Sequence, residues 1–165
     1  MRSALSQPET STAQVSVKVL AFAPKTGKPL KGIDIRLPHN RKGAMVKFVY
    51  VVRRRPDISP EAFRNYWLEH HGPLVRKLAQ ALRAKSYVQS HTLDTPLNQI
   101  ARQIRGAQAP YDGVTELWFD KIEDLFAAAQ TPDGQQANLA LAQDEAKFCD
   151  LPNCSVFFTE EHTIF

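Results

Sequence analysis

The chain has 165 residues, 43% of them hydrophobic, 9% aromatic and 23% charged, a composition that excludes intrinsic disorder and leaves room for one hydrophobic core plus an appendage. Its net charge of +4 is uneven: residues 1–44 carry eight Lys/Arg against two acids, and residues 45–165 carry thirteen against fifteen. The basic excess lies in the N-terminal part, so the slightly acidic remainder lacks the clustered basic surface that nucleic acid requires, and Arg53-Arg54-Arg55 reads as a solvated strand end.

Residues 1–44 are dominated by Ser, Thr, Gln, Pro, Gly and Lys, with two alternating pieces, VSVKVLAF (15–22) and IDIRL (33–37), joined by turn-forming APKTGKPLKG. Either piece is a candidate strand and a loose hairpin is open. A two-stranded hairpin alone is marginal in water, so a poorly ordered extension is expected over 1–44, and Met45 is the expected start of the functional part, 45–165. No stretch approaches the roughly 20 apolar residues of a membrane helix, and the N-terminus lacks the apolar run of a secretory signal. The two cysteines, Cys149 and Cys154, form a C-x4-C spacing without the second ligand pair of a structural zinc site. Free thiols suit a reducing compartment, so the cytoplasm is the expected location.

From Met45 the pattern sharpens. MVKFVYVVRR (45–54) is a β-branched and aromatic run of strand length. A helix start follows, with Ser59 as N-cap, Pro60 at the first helical position, Glu61 in the first turn and Ile58 placed to staple onto Phe63. Phe63, Trp67 and His71 recur at helical spacing, Gly72-Pro73 is expected to break the run, and Leu74, Val75, Leu78 and Leu82 restart it. SYVQSHTL (86–93) alternates as a second strand, PLNQIARQI is a weak helical piece, and YDGVTELWFD (111–120) is the third strand. Asp120 and Glu123 form an acidic capping box for a helix bearing Ile122, Leu125, Phe126 and Ala129, which Pro132 ends. A further helix runs from about Gly134 to Phe148, and SVFFTEEHTIF (155–165) closes the chain as a fourth strand.

This order is the βαββαβ arrangement of a ferredoxin-like α+β sandwich. Both parities of the first strand are apolar, with Phe48, Tyr50 and Val52 on one side and Val49 and Val51 on the other. A sheet apolar on both faces needs a second layer, and a second copy is the economical source. The expected assembly is a homodimer whose sheets pack face to face as a dimeric α+β barrel around a ligand space.

Four of the five histidines lie in the folded part: His70, His71, His91 and His162. Strand parity groups Tyr87, Gln89 and His91 on one face and turns Leu117 and Phe119 towards the helices. It leaves Glu116 and Trp118, with Phe158, Glu160 and His162, pointing into the expected cavity. Histidine suits proton transfer because it titrates near neutrality, and adjacent helical residues point about 100° apart, so His71, on the Trp67 face, is preferred to His70. No H-x3-H or H-E-x-x-H supports a metal site, and no P-loop, nucleophile elbow or dinucleotide fingerprint occurs.

The stretches MVKFVYVVRRRPDISPEAFRNYWLEHHGPLV, YVQSHTL, TPLNQIARQIRGA, YDGVTELWFD and FFTEEHTIF resemble, in that order, the EthD family, named for a protein linked to ethyl tert-butyl ether degradation. The motifs F-x-x-Y-W-x-x-x-H-G-P-L-V and Y-D-G-V-x-E-L-W-F-D carry the resemblance. It implies a dimeric α+β barrel related to cofactor-free monooxygenases, polyketide cyclases and a lactone methylisomerase, in a family commonly grouped with oxidative degradation. By motif, the resemblance points to His71, His91 and His162 as catalytic positions, with Trp67, Asp112, Glu116 and Trp118 in the cavity; Tyr50 and Gln89 join them as substrate-binding candidates. The functional expectation is an enzyme without a cofactor that moves protons on a small hydrophobic, aromatic or cyclic oxygenated molecule, as an oxidoreductase accessory step or as a lyase, isomerase or cyclase, with His91 or His162 as base and His71 as a second proton donor or an orienting group. A non-catalytic carrier serving an oxygenase and a haem-dependent enzyme remain as alternatives, and neither nucleic acid nor membrane is an expected partner.

Overall fold

In the computed structural model, residues 45–165 are described throughout, together with the backbone of two two-residue strands, β1 (Lys18–Val19) and β2 (Ile33–Asp34). The chain divides into two units, Met1–Arg41 and Lys42–Phe165. In the first, β1 and β2 pair antiparallel, Lys18 opposite Asp34 and Val19 opposite Ile33. The expectation of poor order over the rest of 1–44 lies outside the described residues.

The second unit is built on strands β3 (Val46–Val52), β4 (Ser86–His91), β5 (Gly113–Phe119) and β6 (Ser155–Glu160). They form one antiparallel sheet in the order β4-β5-β3-β6, the ferredoxin-like topology that the element order predicts. Helix α1 (Pro60–Tyr66) starts where the capping residues place it, with the Ser59 hydroxyl accepting the Ala62 amide at 3.1 Å and Ile58 packed against the Phe63 cluster.

Gly72-Pro73 does not break the helical run. Trp67–His71 forms a π turn that leads directly into α2 (Gly72–Leu82). Proline lacks the amide that an α-helix would require and crowds the carbonyl four residues back. Widening the turn, so that the Gly72 amide reaches the Trp67 carbonyl, absorbs that defect without ending the helix. Helix α2 ends at Arg83, which adopts a left-handed φ of 57°.

Helix α3 (Pro96–Arg105) lies on the surface, capped by Thr95 and closed by left-handed Gly106. Helix α4 (Ile122–Ala129) starts without the expected capping box: Asp120 pairs instead with Lys85 at 2.7 Å, and Lys121 takes the cap position. Helix α4 has ended before Pro132, as expected, and Pro132 itself opens the next helix, α5 (Pro132–Glu145), behind a Thr131 cap, as suits a residue with no amide to lose at the first helical position.

The helices cover one face of the sheet. Its core there is Tyr50, Val52, Phe63, Trp67, Phe148 and Cys149, all buried, with Phe48, Tyr66 and Cys154 packed against them. The opposite face carries Val49, Val51, Val88, Val114 and Phe157, of which Val88 is 40% and Phe157 46% exposed. No helix of the described residues is long and apolar enough to cross a membrane.

Candidate functional site: a histidine–aspartate pair between helix and sheet

The register of the sheet decides which candidate side chains meet. Gln89 stands opposite Thr115 and His91 opposite Gly113; those β5 positions share the buried parity of Leu117 and Phe119. Tyr87, Gln89 and His91 therefore face the helices, with Tyr50, which also stands opposite Thr115. They meet Trp67 and His71 of the π turn. Wide turns of this kind recur at functional sites because they redirect one side chain inside an otherwise regular helix.

His71 is buried, at 5% exposure. Its Nδ1 lies 2.9 Å from Oδ2 of Asp144, on α5. The other oxygen of Asp144 accepts the Tyr66 hydroxyl at 2.7 Å and the Lys147 ammonium at 2.9 Å. Burial alone pushes the carboxyl up, but the hydrogen bonds from Lys147, Tyr66 and His71 outweigh it and hold Asp144 below the ordinary carboxylate range. Burial in turn pushes the His71 imidazole below its usual value, against the opposing pull of Asp144. The result is a neutral imidazole whose Nδ1–H is held by a carboxylate, leaving Nε2 with a free lone pair.

A second network adjoins it. The Gln89 amide donates to the Trp67 carbonyl and to the Tyr87 hydroxyl, each at 2.9 Å. Its oxygen is thus the acceptor towards His91 Nε2 at 3.0 Å, and His91 carries its proton on Nε2, with Nδ1 open. Burial, and then the nearby Arg64 charge, lowers the His91 value. The Trp67 indole donates to the Tyr87 oxygen at 3.2 Å. Burial raises the Tyr87 phenol against the opposing hydrogen bonds of Gln89, Thr115 and Trp67, so Tyr87 stays protonated. Its ring lies 6.5 Å from that of His71.

Trp67 is 1% exposed and stacks on His91 with centroids 4.5 Å apart and planes 5° apart. It does so because residue 113 is glycine: a Cβ there would lie 2.4 Å from the indole. Trp67 is therefore a core residue that positions His91, and its ring is already committed. Tyr50 is likewise buried, beside Glu145 and the two cysteines, and burial raises its phenol.

The remaining candidates do not join this cluster. Glu116 and Trp118 lie on the opposite face, where Lys47 bonds Glu116 at 2.8 Å and sits 4.7 Å over the Trp118 ring. Phe158 pairs with Phe48 and so faces the helices, which separates it from Glu116 and Trp118. Parity along a single strand identifies two faces, but only the cross-strand register shows that His91 and Glu116 occupy different ones. Strand β6 ends at Glu160, so alternation does not extend to His162, whose exposed ring lies 4.0 Å from Glu160. Asp112 ties down the end of β3, accepting the Arg54 amide at 3.0 Å and facing the Arg54 guanidinium at 3.1 Å. His70 is exposed against Tyr66, as the preference for His71 requires.

Three members of the cluster were not singled out by sequence reasoning. Tyr87 carried a signal, since it shares parity with Gln89 and His91. Asp144 and Glu145 carried none, because α5 alternates Ala, Leu and Gln without a clean apolar stripe that would mark its inward side. Glu145 is half-buried; burial first, then the neighbouring Cys154 and Asp144, raise its carboxyl to about 7. Among the described residues, no three His, Cys, Asp or Glu side chains converge as a metal-binding group.

A family model for the EthD domain matches residues 55–152, more than half of the chain, including the π turn, β4, β5 and the Asp144–Glu145 pair. The chain belongs to the EthD family. This EthD domain is similar to several solved structures. One is an EthD-family protein of Bacillus halodurans, 22% identical with a TM-score of 0.49, matched over 72% of this chain and 99% of that one. Another is a dimeric ferredoxin-like protein from Thermobifida fusca, 15% identical with a TM-score of 0.47, over 75% and 97%. A third is a hydroxynitrile lyase from Passiflora edulis, 13% identical with a TM-score of 0.49, over 74% and 98%. No curated protein matches the chain.

Proposed function

We propose that this EthD domain is an enzyme that abstracts and returns a proton on a small, largely hydrophobic oxygenated molecule. The observation that carries the reading is the 2.9 Å pairing of His71 Nδ1 with Asp144. A carboxylate on Nδ1 orients the ring and stabilises the imidazolium that forms when Nε2 takes a proton, which is the arrangement of a general base. Tyr87, protonated and adjacent, is the group that returns a proton to the developing oxyanion. His91, with Nε2 bound to Gln89, presents Nδ1 as an acceptor for a substrate hydroxyl. Gln89 and His91 are half-buried beside the buried Trp67 and His71. The Tyr87 and Phe148 rings beside His71 favour a cyclic or aromatic ligand. This shifts the base from His91 or His162 to His71.

The second sheet face supports a homodimer. Val88 and Phe157 are large, exposed and contiguous with Val49, Val51 and Val114, and a face of that character is covered in a stable protein.

The test is hydrogen exchange at carbon. Purified protein in D2O is incubated with a panel of cyclic and aromatic ketones, and NMR follows loss of the α-proton signal. Wild type accelerates exchange of at least one ketone, and Asp144→Asn slows it by about 10²-fold or more. Binding of a panel member without any exchange favours a carrier, and equal exchange by wild type and Asp144→Asn removes the dyad from the mechanism.

A further inference from the structure

The domain holds a second reactive cluster that proton transfer does not use: the two cysteines of CDLPNC. Cys149 forms an isolated antiparallel bridge with Arg54 and is 4% exposed. The 3₁₀ turn Leu151–Asn153 then doubles the chain back, so that Cys154 Sγ accepts the Arg53 amide at 3.3 Å and lies 3.6 Å from the Arg53 carbonyl. Both cysteines are thus docked on adjacent residues at the end of β3 and pack into the same core cluster beside Tyr50.

We infer that Cys149 and Cys154 are a peroxide-reactive dithiol, with Cys154 the attacking sulfur and Cys149 the resolving one, closing an intramolecular disulfide. Cys154 is the half-buried partner and receives a backbone N–H, which favours the thiolate. The hydrogen bond with Cys149, and then that from the Arg53 amide, lower its thiol below the ordinary range despite burial. Cys149, buried and raised, is inert until an electrophilic sulfur forms next to it. The Cys154 thiolate attacks the O–O bond of a hydroperoxide, becoming a sulfenic acid and releasing an alcohol, or water from hydrogen peroxide. The Cys149 thiol then displaces the hydroxyl as water, so that two electrons pass from the sulfurs to the peroxide.

Because the chain has only two cysteines, an intramolecular disulfide is unambiguous. The full-length protein is treated with stoichiometric hydrogen peroxide and followed by intact mass and thiol titration. The expected product has lost two hydrogens and both titratable thiols, and a thiol reductant restores it. In Cys149→Ser, dimedone traps a sulfenic acid on Cys154; in Cys154→Ser, dimedone labels nothing. Oxygen addition without loss of hydrogens in wild type, or a disulfide between two chains, overturns the assignment. The wild-type mass decides the matter even if a variant fails to fold.

Discussion

Asp144 Oδ2 lies 2.9 Å from His71 Nδ1, joining the last turn of α5 to the π turn that follows α1 across the helical layer. The carboxylate holds the ring in one tautomer and partly offsets the cost of charging it in a buried position. In Asp144→Asn that offset is removed while burial stays, so the His71 ring titrates lower still, observable by NMR of its carbon-bound ring protons. The linkage has a definite sign. The folded imidazole takes its proton at lower pH than the unfolded one, whose value is near 6.5, so this group's contribution to stability is intact above 6.5 and is lost as pH falls below it. A His71 titration unchanged in Asp144→Asn would exclude the coupling.

Glu145 works in the opposite direction. Its folded carboxyl is raised from the ordinary 4.5 to about 7, so the folded chain binds the extra proton and stability is lost as pH rises from 4.5 through 7. Glu145→Gln, permanently neutral, is expected to raise the urea midpoint at pH 8 by the equivalent of about 1–3 kcal/mol and to change it little at pH 4.5. A uniform change at both pH values would contradict a half-buried, titrating Glu145.

Gly113 makes room for Trp67. A Cβ at this position would lie 2.4 Å from the indole and 2.7 Å from the Ser90 carbonyl, and neither the packed ring nor the strand backbone can retreat cheaply. Gly113→Ala should therefore cost about 1–3 kcal/mol and displace the Trp67–His91 stack, with loss of near-UV circular dichroism. Retention of both stability and that signal would mean that the ring has room the structure does not show.

The uncovered sheet face gives an expectation for assembly. Val88→Lys and Phe157→Glu place charge on residues that are 40% and 46% exposed in a single copy, so folding of one chain tolerates them while burial against a second copy does not. Light scattering should report a dimer for wild type and a monomer for the double variant, with unchanged far-UV circular dichroism. A monomeric wild type would show that something else covers this face.

Local chemistry made the elements of this EthD domain legible. Ser59-Pro60 starts α1, β-branched alternation marks the four strands, and their order specifies a ferredoxin-like sheet, because these signals act between residues a few positions apart. Errors fell where two local signals competed. Gly72-Pro73 reads as a stop, yet helix packing and a widened turn carry the chain through it. Pro132 reads as a stop, and α4 does end before it, but Thr131 also makes it the start of α5.

His71, His91, Gln89 and Tyr87 were within reach of sequence reasoning because helical spacing and strand parity assign side chains to faces. Which faces meet is a different matter. The pairing of His91 with Gly113 separates His91 from Glu116 and Trp118, and the packing of α5 brings Asp144 to His71, 73 residues away in the chain. Neither relation has a local signature: the first is a register between strands and the second the docking of one helix on another. The sequence alone determined most of the elements and divided each strand into two faces, while tertiary packing decided which of those faces meet and which histidine has a carboxylate behind it.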